Sequence, residues 1–582
     1  MASDPYVARA TKDGLTLVLY RGEDMALLAF GADQSLRDGN FVGFGIEYQI
    51  GSGPSWYPVY NFLTFKTLRL QAEAFLKAHP NDPPDFSHKS SLRSPIQRFR
   101  WVHVPSRPID ALVTYRVSAM FWNGANQAPV ARASVEGTID LGSKTRDDFL
   151  NVGFTRGYAT SQAYLRNFPD GETILPAKGK SELDFATAPF EADGREYPWL
   201  GFEARRLFLG FLDECLADPS VSLDVFVYDF SDPEILRRLE AFKTRLRIIV
   251  DNSDKHGLAG SEETKAAARL VKSAGKGNVA RHAFWRLQHN KAVIAKRGGV
   301  PFAVFTGSTN FSLRGLYIQA NNALLFRDPT IAQWYADAFA AAFPKRDGFR
   351  ASPIATQWFT KTLAGCGSYK FCFSPHTDPA LSMTPVADAV NGAAKSVFYA
   401  IAFRGQQTGP ADLALNKIDA KKLLVMGVAD KPGKKEGTVV QLPGRGRQAL
   451  APAALAAHLP EPFKSEWAGG NGVRMHHKFV ICDFNGASPV AFTGSSNLAA
   501  GGEHDNGDNL IEITDPKVVT AYAVEAVRIF DQYDFRNRMK TAKTKPKAAD
   551  LAEPPTGTAK AWWATFFEDG HYHSRDRVLF SS

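Results

Sequence analysis

The chain has 582 residues, 44% apolar and 22% charged, with a net charge of +9 and four cysteines. That composition fits a globular chain of roughly three domains, each able to bury its own core, and excludes disulfide scaffolds, collagens and disordered polymers. No window nears the roughly 20 consecutive apolar residues of a membrane span, Met1 to Ala10 lacks a signal pattern, and Cys215, Cys366, Cys372 and Cys482 form no CxxC pair, so a cytoplasmic address with no metal and no cofactor is expected.

Residues 1–143 read as β structure. Leu15–Tyr20, Met25–Phe30, Phe41–Ile50, Phe62–Thr67, Gln97–Val104, Val113–Trp122 and Ala131–Leu141 are apolar or alternating runs, nearly all separated by turn residues. Seven such strands predict an all-β sandwich of immunoglobulin or fibronectin type. Beyond Gly142, strands alternate with amphipathic helices, which requires α/β layering. Leu207–Leu216 reads as a helix, Leu223–Tyr228 as a strand, Pro233–Phe242 as a helix and Leu246–Val250 as a strand. A second series begins at Phe371, with a helix at Val386–Ala394 and strands at Val397–Phe403 and Leu423–Val428. The expected division is 1–143, 144–345, a connector at 346–367, 368–535, and a segment 536–582 that packs back on the body through the aromatics between Trp562 and Phe580.

The positive charge is concentrated. Arg536, Arg538, Lys540, Lys543, Lys545 and Lys547 share one acid-free stretch, and taking those six from +9 leaves +3. A solvated linker accounts for this run, and a basic loop with Lys431, Lys434, Lys435, Arg445 and Arg447 suits either solvent or phosphate groups.

An internal repeat carries the chemistry. At an offset of 187, His289 aligns with His476, Lys291 with Lys478, Ser308 with Ser495 and Asn310 with Asn497. From His289 to Pro329 the offset holds without a gap and gives 14 identities in 41 positions, where about two or three would arise by chance. Each His and Lys stand two apart on an expected strand, so both side chains leave one face. His477 between them faces away.

His476-His477-Lys478 followed by Asp483 and Gly494-Ser495-Ser496-Asn497 resembles the HxKxxxxD(x)nGSxN signature of the phospholipase D superfamily. The first copy departs from it in one place, with Lys296 where the aspartate belongs. The resemblance covers roughly residues 150 to 582. It implies a pseudo-twofold duplicated phospholipase D fold of two α/β halves sharing one site, and metal-independent cleavage of a phosphodiester in phospholipid or nucleic acid through a phosphohistidine. A nuclease and an inactive phosphate-binding scaffold are the alternatives. Asp483 is implied as a support behind the lysine.

Phosphodiester cleavage needs a nucleophile, a proton donor and fixed donors for developing charge. The histidines supply the first two. Lys291, Lys478, Asn310 and Asn497 supply the third, with Ser308 and Ser495 as further donors or positioners. Asp508 stands opposite Asn321 in the repeat, where the family places an orienting carboxylate. Pairing each with the histidine of its own copy makes His289, beside Asn321, the nucleophile and His476, beside Asp508, the acid. The reverse assignment follows if Asp508 instead stabilises a phosphohistidine, and Glu503 or Asp505 are alternative orienters. Trp285 is expected in the core, with Arg286 and Arg474 bordering the pocket.

Overall fold

The computed structural model describes residues 6–78, 89–124, 128–142, 144–146, 148–157, 163–164, 167–169, 173–177, 179–402, 409–431, 437–442, 446–450, 475–542 and 550–581. Lys434, Lys435, Arg445, Arg474, Lys543, Lys545 and Lys547 lie outside the described residues, as do the side chains of Lys431, Arg447, Arg538 and Lys540.

Two four-stranded antiparallel sheets fill the N-terminal region. One orders Val7–Lys12, Leu15–Arg21, Ala26–Ala32 and Arg100–His103; the other orders Tyr57–Pro58, Phe41–Ile50, Leu112–Asn123 and Ala128–Asp140. Leu17, Leu19 and Leu28 from the first share one core with Val113, Tyr115 and Val117 from the second. Val18, Tyr20 and Leu27, on the opposite face, enter the large core that also holds Tyr522 and Phe580. Leu15–Arg21 is therefore covered on both sides, which is why it reads as an unbroken apolar run rather than an alternating one.

Two expectations for this region are corrected. Phe62–Thr67 is not a strand: the chain there enters a helix at Lys66–Ala78, whose Leu68 packs with Phe65 and Leu63. Val7–Lys12 is a strand that the sequence hid, because its residues are half-buried or exposed and alternate poorly. It adds to Leu15–Arg21 through backbone pairing from Val7↔Tyr20 to Lys12↔Leu15.

The remainder is mixed α/β. A seven-stranded sheet runs Val279–Arg281, Leu246–Val250, Val221–Val227, Ala292–Arg297, Val300–Gly307, Asn322–Phe326 and Leu150–Phe154. A nine-stranded sheet contains, in the same order, Leu424–Lys431, Ser396–Ile401, Lys478–Cys482, Val490–Gly494, Asp508–Ile513 and Gly367–Ser374. In each, a parallel pair is followed by antiparallel neighbours. The long helix Pro516–Ala542 buries Val518, Tyr522 and Val527 in the large core.

The C-terminal aromatics are anchored in two places. Trp562 stacks on Phe99 and Phe566 joins the N-terminal core, whereas Phe580 stacks on Phe398 of the nine-stranded sheet. Packing is thus shared between the β region and the α/β body, where the sequence suggested the body alone. Among the described residues no helix is long and apolar enough to cross a membrane.

Candidate active site

The two sheets meet at their motif ends, and the contacts are reciprocal. His289 N donates to Gly507 O at 2.9 Å, and His476 N donates to Ala320 O at 3.1 Å. Gln288 bridges to Gly507 and Met475 to Ala320. Asn322 Nδ2 donates to Thr493 Oγ1 at 2.9 Å, and Asn509 Nδ2 to Thr306 Oγ1 at 3.3 Å. Every partner in one contact is 187 residues from its counterpart in the other, the pattern of a self-complementary interface about a twofold axis.

Reciprocity overturns the expected pairing of orienters. Asp508 does not hold His476: its Oδ1 lies 2.7 Å from His289 Nδ1. Asn321 does not accompany His289: its Oδ1 lies 2.8 Å from His476 Nδ1, which also faces Ser308 O at 3.1 Å. Each histidine crosses to the opposite sheet because Asn321, just before the strand Asn322–Phe326, and Asp508, at the start of its strand, abut the other sheet's motif and not their own. Glu503 and Asp505 orient neither ring. Glu503 accepts from Ser382 and Ser496, and Asp505 pairs with Arg350 and His504.

The serines position these orienters. Ser308 Oγ donates to Asn321 Oδ1 at 2.8 Å and Ser495 Oγ to Asp508 Oδ1 at 2.7 Å, while each hydroxyl accepts the N–H of Asn322 or Asn509. The preceding glycines permit the turn. Gly307 and Gly494 have φ of +132° and +136°, and a Cβ at Gly494 would sit 2.4 Å from Asn509 O. Gly494→Ala is accordingly expected to cost about 3 kcal/mol of stability. Comparing chemical-denaturation midpoints with wild type measures it; an unshifted midpoint would show that this backbone tolerates a side chain.

Lys291 Nζ donates to His289 O and lies 4.7 Å above the Tyr228 ring; Lys478 Nζ lies 3.0 Å from His476 O and 3.2 Å from His476 Nε2. All four side chains are buried. Burial pushes the Lys291 ammonium down to about 7 and the Lys478 ammonium well below the usual lysine range. Burial likewise lowers His289 to about 4 against the pull of Asp508, and lowers His476 well below the usual imidazole range with help from both lysines. Burial raises the Asp508 carboxyl, but His289, Lys291 and Ser495 outweigh it and hold the group below the usual carboxylate range. Two buried amines and two buried rings thus share the single ionised carboxylate of Asp508 between the motifs, an excess of cationic groups that favours a bound anion.

The Oδ1 of Asn310 and that of Asn497 are each buried without a hydrogen-bond partner among the described residues. Asn310 Nδ2 lies 3.3 Å from Asp229 Oδ2. Asp483 faces elsewhere: it accepts backbone N–H groups of Ala394, Lys395 and Ser396, capping the turn into Ser396–Ile401. Lys296 pairs with Asp224 at 2.6 Å on the adjacent strand. Its ammonium for a carboxylate is therefore matched by a carboxylate one strand over, and the His289–Lys291 backbone contacts still mirror those of His476–Lys478. His477 turns away and bonds Glu525 at 3.0 Å, which Arg528 also holds.

Asp251 and Asp430 escaped the sequence reading. Asp251 Oδ1 accepts from Gln288 N at 2.7 Å and Asp430 Oδ2 from Met475 N at 3.0 Å, so each fixes the residue before its histidine. Both directly follow the parallel strand of their sheet or sit near its end, the available signal. Trp285 is exposed rather than in the core, with the Arg350 guanidinium 3.8 Å from its ring centre.

A family model described as cardiolipin synthase, PLD-like domain, matches residues 212–343. Residues 212–343 match a phospholipase D-like domain. The match includes the first His–Lys pair, and the second lies beyond it. No match was found among curated proteins. Among solved structures, the phospholipase D family member Nuc from Salmonella typhimurium is 24% identical, covering 24% of this chain and 88% of its own, with a TM-score of 0.20. Phosphatidylserine synthase from Haemophilus influenzae is 11% identical over 60% of this chain and 92% of its own, with a TM-score of 0.38. Yeast tyrosyl-DNA phosphodiesterase is 9% identical over 51% of this chain and 83% of its own, with a TM-score of 0.27.

Proposed function

We propose that the protein is a phosphodiesterase of phospholipase D type, cleaving a phosphodiester in phospholipid or nucleic acid through a phosphohistidine. The observation that carries this reading is the convergence of two buried His–Lys pairs on one site across a reciprocal interface. In this reading the α/β halves 144–345 and 368–535 are a duplicated pair, joined by 346–367. Residues 1–143 form an immunoglobulin- or fibronectin-like sandwich, and 536–582 closes the chain over both.

The roles follow from the charge each ring must carry. A phosphorylated imidazole is cationic, and a carboxylate at its Nδ1 stabilises it; that ring is His289, beside Asp508. A general acid must surrender its proton, and an amide at Nδ1 orients the ring without retaining the charge; that ring is His476, beside Asn321. His289 thus remains the nucleophile, for a different reason from the one the repeat alone suggested. Lys291, Lys478, Asn310 and Asn497 hold the phosphoryl oxygens, and Ser308 and Ser495 position the orienters. Asp483 supports the second half's framework.

The lysines supply the positive charge that a metal would bring to a phosphoryl oxygen, so activity is expected to persist in EDTA. Phosphatidylcholine vesicles, single- and double-stranded DNA and RNA, each incubated with the protein in EDTA, test this. Cleavage of one substrate, lost in His289→Ala, is the expected result. Activity abolished by EDTA and restored by magnesium or zinc would overturn the mechanism. Phosphate binding without turnover on any substrate would assign the scaffold role.

A further inference from the structure

Beside the pocket, on the first half only, stands a second group of side chains. We infer that Asp229, His256 and Glu263 form a binding site for one first-row divalent metal ion, best matched by Zn2+, outside the His–Lys machinery.

The three ligand atoms lie within 4.8 Å of one another. Donors around tetrahedral zinc stand about 3.3 Å apart, so small side-chain rotations close the set. One imidazole and two carboxylates, with water completing the shell, suit zinc better than magnesium or calcium, which favour oxygen alone.

Each donor also has the outer partner that metal ligands use. His256 Nδ1 is 2.9 Å from Oδ2 of Asp251, a fully buried carboxylate, so the free lone pair is placed on Nε2. That nitrogen has Glu263 Oε1 at 3.6 Å, beyond hydrogen-bond reach. Asp229 Oδ2 is held by Ser312 Oγ at 2.9 Å and Asn310 Nδ2 at 3.3 Å, and Glu263 Oε1 by Phe230 N at 3.2 Å. A carboxylate–histidine–metal relay with oriented carboxylates is the recurring design of such sites.

The charge balance points the same way. Among the described residues no lysine or arginine lies within ion-pair distance of Asp229 or Glu263. A divalent ion would neutralise the two carboxylates, whose ligand atoms stand within 4.8 Å of each other. In the sequence, Ala402-Phe403 follow the corresponding strand of the second half, Ser396–Ile401, where Tyr228-Asp229 follow Val221–Val227 in the first, so the carboxylate is not repeated. The site is nevertheless adjacent to the pocket: the Tyr228 ring centre is 4.6 Å from that of His256 and 4.7 Å from that of His289.

Calorimetric titration of the EDTA-stripped, dialysed full chain with ZnCl2 tests the inference, with MgCl2 as control. One zinc per chain is expected, with at least tenfold weaker binding in His256→Ala and in Glu263→Gln. Asp251→Asn, which removes no ligand, should weaken binding about 10- to 100-fold. Circular dichroism of each variant separates lost ligands from lost fold. A His289→Asn/His476→Asn double variant should bind zinc like wild type. No saturable uptake, uptake unchanged in His256→Ala and Glu263→Gln when both are folded, or uptake lost in the double variant would each overturn the site. None of these outcomes bears on turnover in EDTA, which tests the proposed function separately.

Discussion

Lys478→Ala is expected to lower kcat/KM by about 10²- to 10³-fold, equivalent to roughly 3 or 4 kcal/mol of transition-state stabilisation. Both lysines are buried, and among the described residues no carboxylate pairs with either. Each ammonium is consequently destabilised until a phosphoryl group arrives, and charge developing on its equatorial oxygens is what the amines are placed to meet. Lys291→Ala should behave alike. Arginine should not rescue Lys478, because its planar fork cannot reproduce the single Nζ placed 3.2 Å from His476 Nε2. The same burial sets the pH profile of the free enzyme. Above about 7 Lys291 loses its charge, so kcat/KM should fall on that side. Steady-state kinetics of the variants across pH 3 to 9 measure both effects; unchanged turnover in either alanine variant would remove that lysine from the site.

The repeat made the composition of the pocket legible in the sequence, because His289, Lys291, Ser308 and Asn310 recur at one constant spacing with His476, Lys478, Ser495 and Asn497. Constant spacing says which residues correspond and is silent on which of them touch. In a self-complementary interface a residue can meet its own copy's partner or the other copy's, and only three-dimensional packing chooses. That is why Asp508 was placed beside the wrong histidine. Asp251 and Asp430 were missed for a related reason: they lie 37 and 45 residues before the backbone groups they hold, and no local pattern links a strand-end carboxylate to a distant N–H. In the β region, Leu15–Arg21 and Leu112–Asn123 were readable from apolar content alone. Phe62–Thr67 misled because apolar content does not distinguish a strand from a loop entering a helix over so short a run.

The role assignment predicts where phosphorus resides. In His476→Ala a substrate with a leaving group that needs no proton, such as a nitrophenyl phosphodiester, should still be attacked by His289 and then stall. The stall follows from microscopic reversibility: the ring that protonates the leaving oxygen also activates water in the second step. His289→Ala should form no adduct. Asp508→Asn gives an independent reading, because Asp508 Oδ1 is 2.7 Å from His289 Nδ1 and not beside His476. An amide there cannot neutralise the cationic phosphoimidazole, so adduct formation should slow by about 10²-fold or more, while Asn321→Ala should chiefly impair the protonation of poor leaving groups. Peptide mapping under alkaline conditions, which preserve phosphohistidine, locates the phosphorus. Phosphorus on His476 would invert the two roles and make Asp508 the partner of the acid; no adduct in either histidine variant would leave direct attack by water as the mechanism to consider.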